Sequence, residues 1–268
     1  MTVEQDLVGY SGFVGQTLLR QKNFDRRYRS TDIAEIRHRV FDTVVCAAAP
    51  AQKWTANRDP IADRQNIEAL ISHLETVSCS MFILISTVDV FKNPNAVDES
   101  TNVDEEGLHP YGLNRRRLEL FVESHFRNYL IVRLPGLVGA GLRKNIIFDF
   151  RNDNNLHLID SRGVFQFYPI AYLWRDIESA LRAGLRLVHL TAAPVSVADI
   201  ARECFGKVFA QELDAPLTVY DMRTLFANAF GRSGSYQYTQ RDTISAICEY
   251  AQSDLHAARL SQGSSKCG

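Results

Sequence analysis

The first half of the chain alternates short apolar runs with segments that have the spacing of a helix. Four runs predict strands: QDLVGY (5–10), DTVVCAAA (42–49), MFILIS (81–86) and NYLIVRLP (128–135). Between the second and third runs, apolar residues recur every three or four positions, which indicates a helix, at Ile67, Leu70, Ile71, Leu74 and Val77. MFILIS is continuously apolar, as expected for a parallel strand covered on both faces. The pattern predicts an α/β fold with a Rossmann-type, doubly wound parallel sheet and right-handed crossovers.

The regular alternation of strand-like and helix-like segments ends at Pro135. The next segment, GLVGAGLRKN, is rich in glycine and basic residues, and residues 151–170 mix polar and aromatic side chains without a clear period. We therefore predict a Rossmann domain over 1–135 and a smaller C-terminal lobe over 136–268. The boundary is soft, because the chain could return to the sheet near 164–190. The tail, 261–268, has the composition of a disordered segment.

Composition narrows the class of protein. Hydrophobic residues make up 46% of the chain, charged residues 23%, and the net charge is −1, which is typical of a soluble globular protein. This balance gives no reason to expect nucleic-acid or membrane binding. No secretory signal or membrane span is evident. The five cysteines are widely spaced and form no CxxC motif, so we expect buried thiols in a reducing cytoplasm, with no metal site.

Three glycines form a G-x-x-G-x-x-G motif directly between the first predicted strand and the first predicted helix: Gly9, Gly12 and Gly15. The first glycine of such a motif permits a tight turn, the second lets backbone N–H groups approach a pyrophosphate, and the third allows close packing of helix and strand. Because the motif requires this strand–turn–helix context, we predict a dinucleotide site that also includes Phe13 and Val14.

The sequence leaves the type of dinucleotide open. An acidic residue that binds the adenosine ribose is expected about 20 residues beyond the motif, and Asp32 lies at a suitable distance. However, Arg29, Ser30 and Thr31 precede it, and this turn could equally hold a 2′-phosphate. Asp32 could also be a helix N-cap or contact the adenine. The cofactor is therefore NAD or NADP, with Ser30 and Asp32 as candidate contacts.

The ordered set of motifs resembles the extended short-chain dehydrogenase/reductase family, which comprises nucleotide-sugar epimerases, dehydratases and reductases. The matching segments are GYSGFVG (9–15), DTVVCAAA (42–49), Asn66, STVDVF (86–91), VDES (97–100), the tyrosine of HPYGLNR and RLPGLVG (133–139). Residues 190–206 match the family's later part more loosely. The resemblance covers the first half of the chain in the right order, and it implies the family's fold and class of activity.

The resemblance also implies a catalytic group. Thr87, four residues before Phe91, matches the hydroxyl residue that binds the reacting oxygen, with Ser86 as second choice for a substrate contact. Tyr111 matches the acid/base. The family's lysine four residues later is replaced by Arg115. Its guanidinium can favour a phenolate, but it is wider than an ammonium and cannot deprotonate to join a proton relay.

Further contacts follow from the same resemblance. The small residues after the second clear strand match a loop over the cofactor, although simple packing would also suit them, and a proline reaches the nicotinamide side. A basic turn in the C-terminal lobe suits a substrate diphosphate, although it could be solvated. These residues are Ala47, Ala48 and Ala49 for the loop, Pro135 for the nicotinamide, and Lys144 and Asn145 for the substrate.

Two functions remain open at this stage. The first is an NAD(P)-dependent oxidoreductase, epimerase or dehydratase that acts on a nucleotide-linked or related sugar, with Tyr111 as acid/base. The second is an NAD(P)-binding sensor or partner-binding protein whose chemistry has lapsed, for which Arg115 is the main argument. The resemblance also implies a homodimer that pairs through helices at about 62–78 and 111–126.

Overall fold

The computed structural model describes residues 4–263, with side chains described up to residue 253. The strands are β1 (Gln5–Val8), β2 (Arg26–Tyr28), β3 (Val40–Cys46), β4 (Ser78–Thr87), β5 (Asn95–Val97), β6 (Tyr129–Leu134), β7 (Gly136–Val138), β8 (Val164–Phe165), β9 (Phe167–Pro169), β10 (Leu187–His189), β11 (Val195–Ser196) and β12 (Asp221–Met222). The helices are α1 (Phe13–Gln21), α2 (Lys53–Arg58), α3 (Pro60–Leu74), α4 (Pro110–His125), α5 (Ile146–Asn152), α6 (Leu173–Arg182), α7 (Val197–Phe205) and α8 (Gln240–Gly263).

A six-stranded parallel sheet forms the centre of the molecule, in the order β10-β6-β4-β3-β1-β2. The strand order reverses between β1 and β3, which is the switch point at which sheets of this kind bind ligands. The crossover from β2 to β3 uses only residues 29–39, with a short 3₁₀ turn at Ile33–Ile36. The predicted α/β fold with a doubly wound parallel sheet is confirmed.

The sheet is covered on both faces, as the continuous apolar run in β4 predicts. Ile83 and Ile85 of β4 pack in the core cluster that includes α1 and α6. Phe82 and Leu84 pack in the opposite cluster, which includes α3 and α4. Alternate residues of one strand therefore fill both cores.

The C-terminal part is divided between the sheet and a separate lobe. α6 packs on the main core, and β10 then joins the sheet beside β6. Residues 173–182 and 187–189 therefore belong to the sheet layer, although they follow residue 135 in the sequence. The remaining lobe contains α5, α7 and α8 together with the small pairs β8–β11 and β7–β9. β12 pairs with β5, which ties this lobe to the segment after β4.

The cysteines differ in part from the prediction of free thiols. Cys204 of α7 and Cys248 of α8 form a disulfide, with their Cα atoms 4.5 Å apart. The prediction was wrong for this pair because 44 residues separate the two and no sequence spacing reveals their contact. Cys46 and Cys79 are free thiols, and burial raises their pKa values to about 11 and about 12. Cys267 lies outside the described residues.

Two further observations concern the helices. α8 continues to Gly263, so the tail predicted to be disordered from residue 261 is helical at its start, and residues 264–268 lie outside the description. Among the described helices, none is both long and apolar enough to cross a membrane.

Candidate active site

The glycine loop lies at the switch point, between β1 and α1. Gly9 adopts φ +89°, and a Cβ there would come within 2.5 Å of the Ala47 carbonyl carbon, so only glycine fits this turn. A Cβ at Gly15 would collide with the Gly9 carbonyl oxygen, which explains the close approach of α1 to β1. The loop therefore brings the start of α1 next to the end of β3.

Gly12 leaves the start of α1 open. A Cβ at this residue would meet no protein atom closer than the Gly9 carbonyl oxygen at 3.7 Å. Gly12 is also the N-cap, and no side chain caps the helix that begins at Phe13. The first N–H groups of a helix have no partner within the helix and favour an anion. This cradle fits the pyrophosphate of a dinucleotide.

The end of β2 differs from the arrangement expected for Asp32. Because β2 ends at Tyr28, Arg29 and Ser30 directly follow its carboxyl end, and Asp32 lies further on, at the start of the 3₁₀ turn. The Asp32 carboxylate accepts a 2.6 Å hydrogen bond from the Arg29 backbone N–H. The Arg29 guanidinium donates to the Thr31 hydroxyl at 2.9 Å. The two residues next to the strand end are thus an arginine and a serine rather than an acidic residue.

Thr87 and Tyr111 meet at the carboxyl end of β4. Thr87 is the last residue of β4, and Tyr111 lies in the first turn of α4, so both side chains lie at the same end of the sheet. The start of α4 can lie this close to the segment after β4 because residue 112 is glycine. A Cβ at Gly112 would collide with the Asp89 carbonyl oxygen. Burial raises the pKa of the Tyr111 phenol, while the positive charge of Arg115 and the Thr87 hydroxyl act in the opposite direction.

Arg115 lies against the face of the Tyr111 ring, with its guanidinium carbon 4.0 Å from the ring centroid. The guanidinium forms a buried ion pair with Asp63 of α3 and donates to the Pro50 carbonyl oxygen. Asp63 also accepts from Asn114 at 2.8 Å. Arg115 therefore supplies charge beside the phenol, but most of its donors are already used within the protein. Its Nε has no hydrogen-bond partner among the described residues.

A second polar cluster lies beside Thr87, and sequence reasoning missed it. Lys53 of α2 forms a 2.7 Å ion pair with Asp89, and the Tyr220 hydroxyl donates to the same carboxylate oxygen at 3.2 Å. Asp89 follows Thr87 by two residues, which is the one local indication that the sequence offers. Burial alone would lower the pKa of Lys53, but Asp89 and Tyr220 outweigh it and raise the pKa, so the ammonium stays charged.

Ser86 and Asn145 do not have side chains free for a substrate, in contrast to the prediction. Neighbouring residues of a strand face opposite sides, so Ser86 points away from the side of the sheet that Thr87 faces. Its hydroxyl donates to Glu119 at 2.6 Å. Asn145 caps α5 by accepting from the Ile147 and Phe148 backbone N–H groups. Both polar groups are used to hold the fold.

The other predicted contacts lie at the same edge of the sheet as Tyr111. Ala47 follows β3 and packs against Gly9, and the buried Pro135 follows β6. Ala48 and Ala49 are partly buried against the core. Lys144 reaches across and donates to the Ala51 carbonyl oxygen. Burial and the charge of Arg115 lower the pKa of Lys144.

A cavity of about 130 Å³ lies in the C-terminal lobe. Its lining includes Ile159, Asp160, Phe165, Leu213, Pro216 and Thr218. Phe165 also stacks on Tyr220, with ring centroids 5.7 Å apart. Because Tyr220 contacts Asp89, an aromatic pair connects this cavity with the polar groups beside Thr87.

The chain is an α/β protein with a doubly wound parallel sheet, and its glycine loop lies at the switch point of that sheet. By sequence, the chain matches no family profile and no curated protein. By structure, it is similar to a dTDP-4-dehydrorhamnose reductase from Bacillus anthracis in complex with NADP (TM-score 0.72, 17% identity, 93% of this chain and 98% of that chain). It is likewise similar to a UDP-N-acetylglucosamine 4-epimerase from Methanobrevibacter ruminantium (0.72, 13%, 96% and 99%). A third similar structure is an NAD-dependent NDP-hexosamine 5,6-dehydratase of tunicamycin biosynthesis (0.72, 16%, 94% and 98%).

These likenesses extend over nearly the whole of each chain, so the C-terminal lobe shares the fold as well as the sheet. The chain has the fold of the extended short-chain dehydrogenase/reductases, as the resemblance of its motifs implied.

Proposed function

We propose that the protein is an NAD(P)-dependent enzyme that oxidises, reduces, epimerises or dehydrates a nucleotide-linked sugar. The observation that carries this proposal is the convergence of three parts at one edge of the sheet. The open glycine loop, the small-residue loop after β3 and the Thr87–Tyr111 pair all lie at the carboxyl ends of the parallel strands, where such sheets bind ligands.

The chemistry assigns a role to each side chain. A bound nicotinamide would give or take a hydride at the reacting sugar carbon. Tyr111 moves the proton between its phenol oxygen and the sugar oxygen, and the Thr87 hydroxyl orients that oxygen. Arg115, on the ring face, stabilises the phenolate form through its charge.

The residues after β2 support NADP(H) as the preferred cofactor. Arg29 and Ser30 directly follow the strand end, whereas the Asp32 carboxylate is bound to the Arg29 backbone. A guanidinium beside a hydroxyl suits a 2′-phosphate, and a carboxylate suits the free 2′-hydroxyl of NAD. We expect the protein to bind NADPH more tightly than NADH.

The cavity in the C-terminal lobe supports a nucleotide-linked substrate. Its wall contains the Phe165 ring, whose stacking on Tyr220 connects it to the reacting group. A sugar at Tyr111 could thus extend its nucleotide towards this lobe. The similar structures include enzymes whose substrates are dTDP- and UDP-linked sugars.

The family's mode of pairing supports a homodimer through α3 and α4. Leu113 and Leu120 of α4 and Ile61 of α3 are exposed apolar side chains. Burial of such residues would favour association.

The proposal is tested by titrating the purified protein with NADPH and NADH, followed by a panel of dTDP- and UDP-linked keto and hydroxy sugars. Turnover is measured by the nicotinamide absorbance. We expect cofactor binding and turnover of at least one nucleotide sugar. Tight cofactor binding without turnover of any substrate would instead favour the lapsed binding protein. Absence of cofactor binding would refute both.

A further inference from the structure

Lys53, Asp89 and Tyr220 come from three distant parts of the chain and meet beside the reacting tyrosine. One Asp89 oxygen accepts from the Lys53 ammonium at 2.7 Å and from the Tyr220 hydroxyl at 3.2 Å. Lys53 and the Tyr220 oxygen are themselves 3.4 Å apart. A carboxylate held by two donors on one oxygen has a fixed orientation, and its second oxygen remains available to another group.

That second oxygen faces Thr87. The Thr87 hydroxyl lies 3.5 Å from it and accepts a 3.1 Å hydrogen bond from the Asp89 backbone N–H. The Thr87 hydroxyl also acts on the Tyr111 phenol and lowers its pKa, so Thr87 lies between the phenol and the Asp89 carboxylate. The series of polar groups runs from phenol to hydroxyl to carboxylate.

The Lys53–Asp89 end of this series of polar groups is in contact with solvent. The side chains of Lys53 and Asp89 are 39% and 17% exposed, so water can exchange protons with this pair. On the other side of Tyr111, Arg115 is buried and bound to Asp63, and a guanidinium does not release its proton in a protein. A proton can therefore leave or reach Tyr111 through Asp89 but not through Arg115.

We propose that Asp89 relays the proton between Tyr111 and solvent through Thr87, and that Lys53 and Tyr220 position its carboxylate. The inference rests on the proposed function. In the reducing direction, the substrate carbon gains a hydride and the Tyr111 O–H bond breaks as its proton passes to the substrate oxygen. Asp89 takes a proton from water, and this proton passes to Thr87 as the Thr87 proton passes to the phenolate, which restores the phenol, the hydroxyl and the carboxylate. In the oxidising direction, each transfer is reversed.

The test compares three proteins with a substrate that the wild type turns over: the wild type, Asp89→Asn and Asp221→Asn. Asp221 is a matched control, because it also accepts from a tyrosine hydroxyl and a cation, Tyr236 and Arg223, without contacting Thr87. We expect Asp89→Asn to lower kcat on the order of 100-fold, at the lower end of general acid–base contributions, with the cofactor Kd unchanged. Thermal unfolding checks that the variants fold.

Added imidazole separates a relay from a merely structural role, because a small buffer can carry the proton that the missing carboxylate no longer relays. We expect imidazole to raise kcat of Asp89→Asn in proportion to its concentration and to leave the wild type and Asp221→Asn unchanged. Wild-type kcat in Asp89→Asn, or a loss that imidazole does not restore, would overturn the relay while the proposed function stands. A wild type that binds no cofactor and turns over no sugar refutes the proposed function, and the relay with it.

Discussion

Arg115–Asp63 and Lys53–Asp89 both place a cation near Tyr111, but the protein holds the two pairs in opposite ways. The side chains of the first pair are 3% and 5% exposed, and those of the second are 39% and 17% exposed. The buried pair joins α4 to α3 and to the loop after β3, so it fixes the position of the tyrosine. The partly exposed pair keeps contact with water. Position and proton exchange are thus assigned to different cations.

The largest effect should come from breaking the buried pair. Asp63→Asn removes the carboxylate and leaves the Arg115 charge buried without a partner, so we expect a loss of about 3–5 kcal/mol in the free energy of unfolding. Urea denaturation measures it. The matched control is Glu68→Gln, the exposed partner of Arg64 and Arg117, which should cost far less because water screens this pair. Equal losses in Asp63→Asn and Glu68→Gln would show that burial does not make the Arg115–Asp63 pair more important for stability than an exposed pair.

A smaller effect is expected from Arg115→Lys. The ammonium can keep the Asp63 pair, but it cannot also reach the Pro50 carbonyl oxygen as the planar fork does. Loss of this hydrogen bond should cost about 0.5–1.5 kcal/mol, because Pro50 is exposed and water can replace the missing donor. Urea denaturation of this variant beside Asp63→Asn provides the measurement. A gain in stability would mean that the guanidinium is not required for this position.

The smallest effect on stability should come from Lys53→Met. This variant removes the ammonium from a partly exposed pair, so the free energy of unfolding should fall by less than about 1 kcal/mol. Turnover should nevertheless decrease, because the Asp89 carboxylate loses the donor that orients it towards Thr87. Denaturation and kcat are measured on the same preparation. A stability loss as large as that of Asp63→Asn, with kcat unchanged, would reverse the roles of the two pairs.

The sequence was sufficient for features that depend on contiguous residues. The glycine loop requires its own neighbours on β1 and α1, and the continuous apolar run of β4 reports burial on both faces. Thr87 and Tyr111 also follow from local motifs in a known order. The partner of Arg115, by contrast, is Asp63 on another helix, and no spacing within α4 indicates it.

Other features depend on which neighbour takes a side chain's hydrogen bonds. Ser86 and Asn145 have residue types suited to a substrate, but Glu119 and the start of α5 use their polar groups. The role of Asp32 stayed open because the sequence could not fix the end of β2, which the structure places at Tyr28. Tyr220 joins Asp89 from the C-terminal lobe across 131 residues, a contact that only the fold creates.

The central claim is that Tyr111 moves the proton in a nicotinamide-dependent reaction of a nucleotide sugar. The direct measurement is kcat for the wild type, Tyr111→Phe and Tyr129→Phe, with NADPH and the best substrate of the panel. Tyr129 is the matched control, because it begins β6 and so lies at the amino ends of the strands, away from Tyr111. We predict that Tyr111→Phe loses roughly 100-fold to 10,000-fold in kcat, while Tyr129→Phe keeps the wild-type rate. Full turnover in Tyr111→Phe would contradict the account.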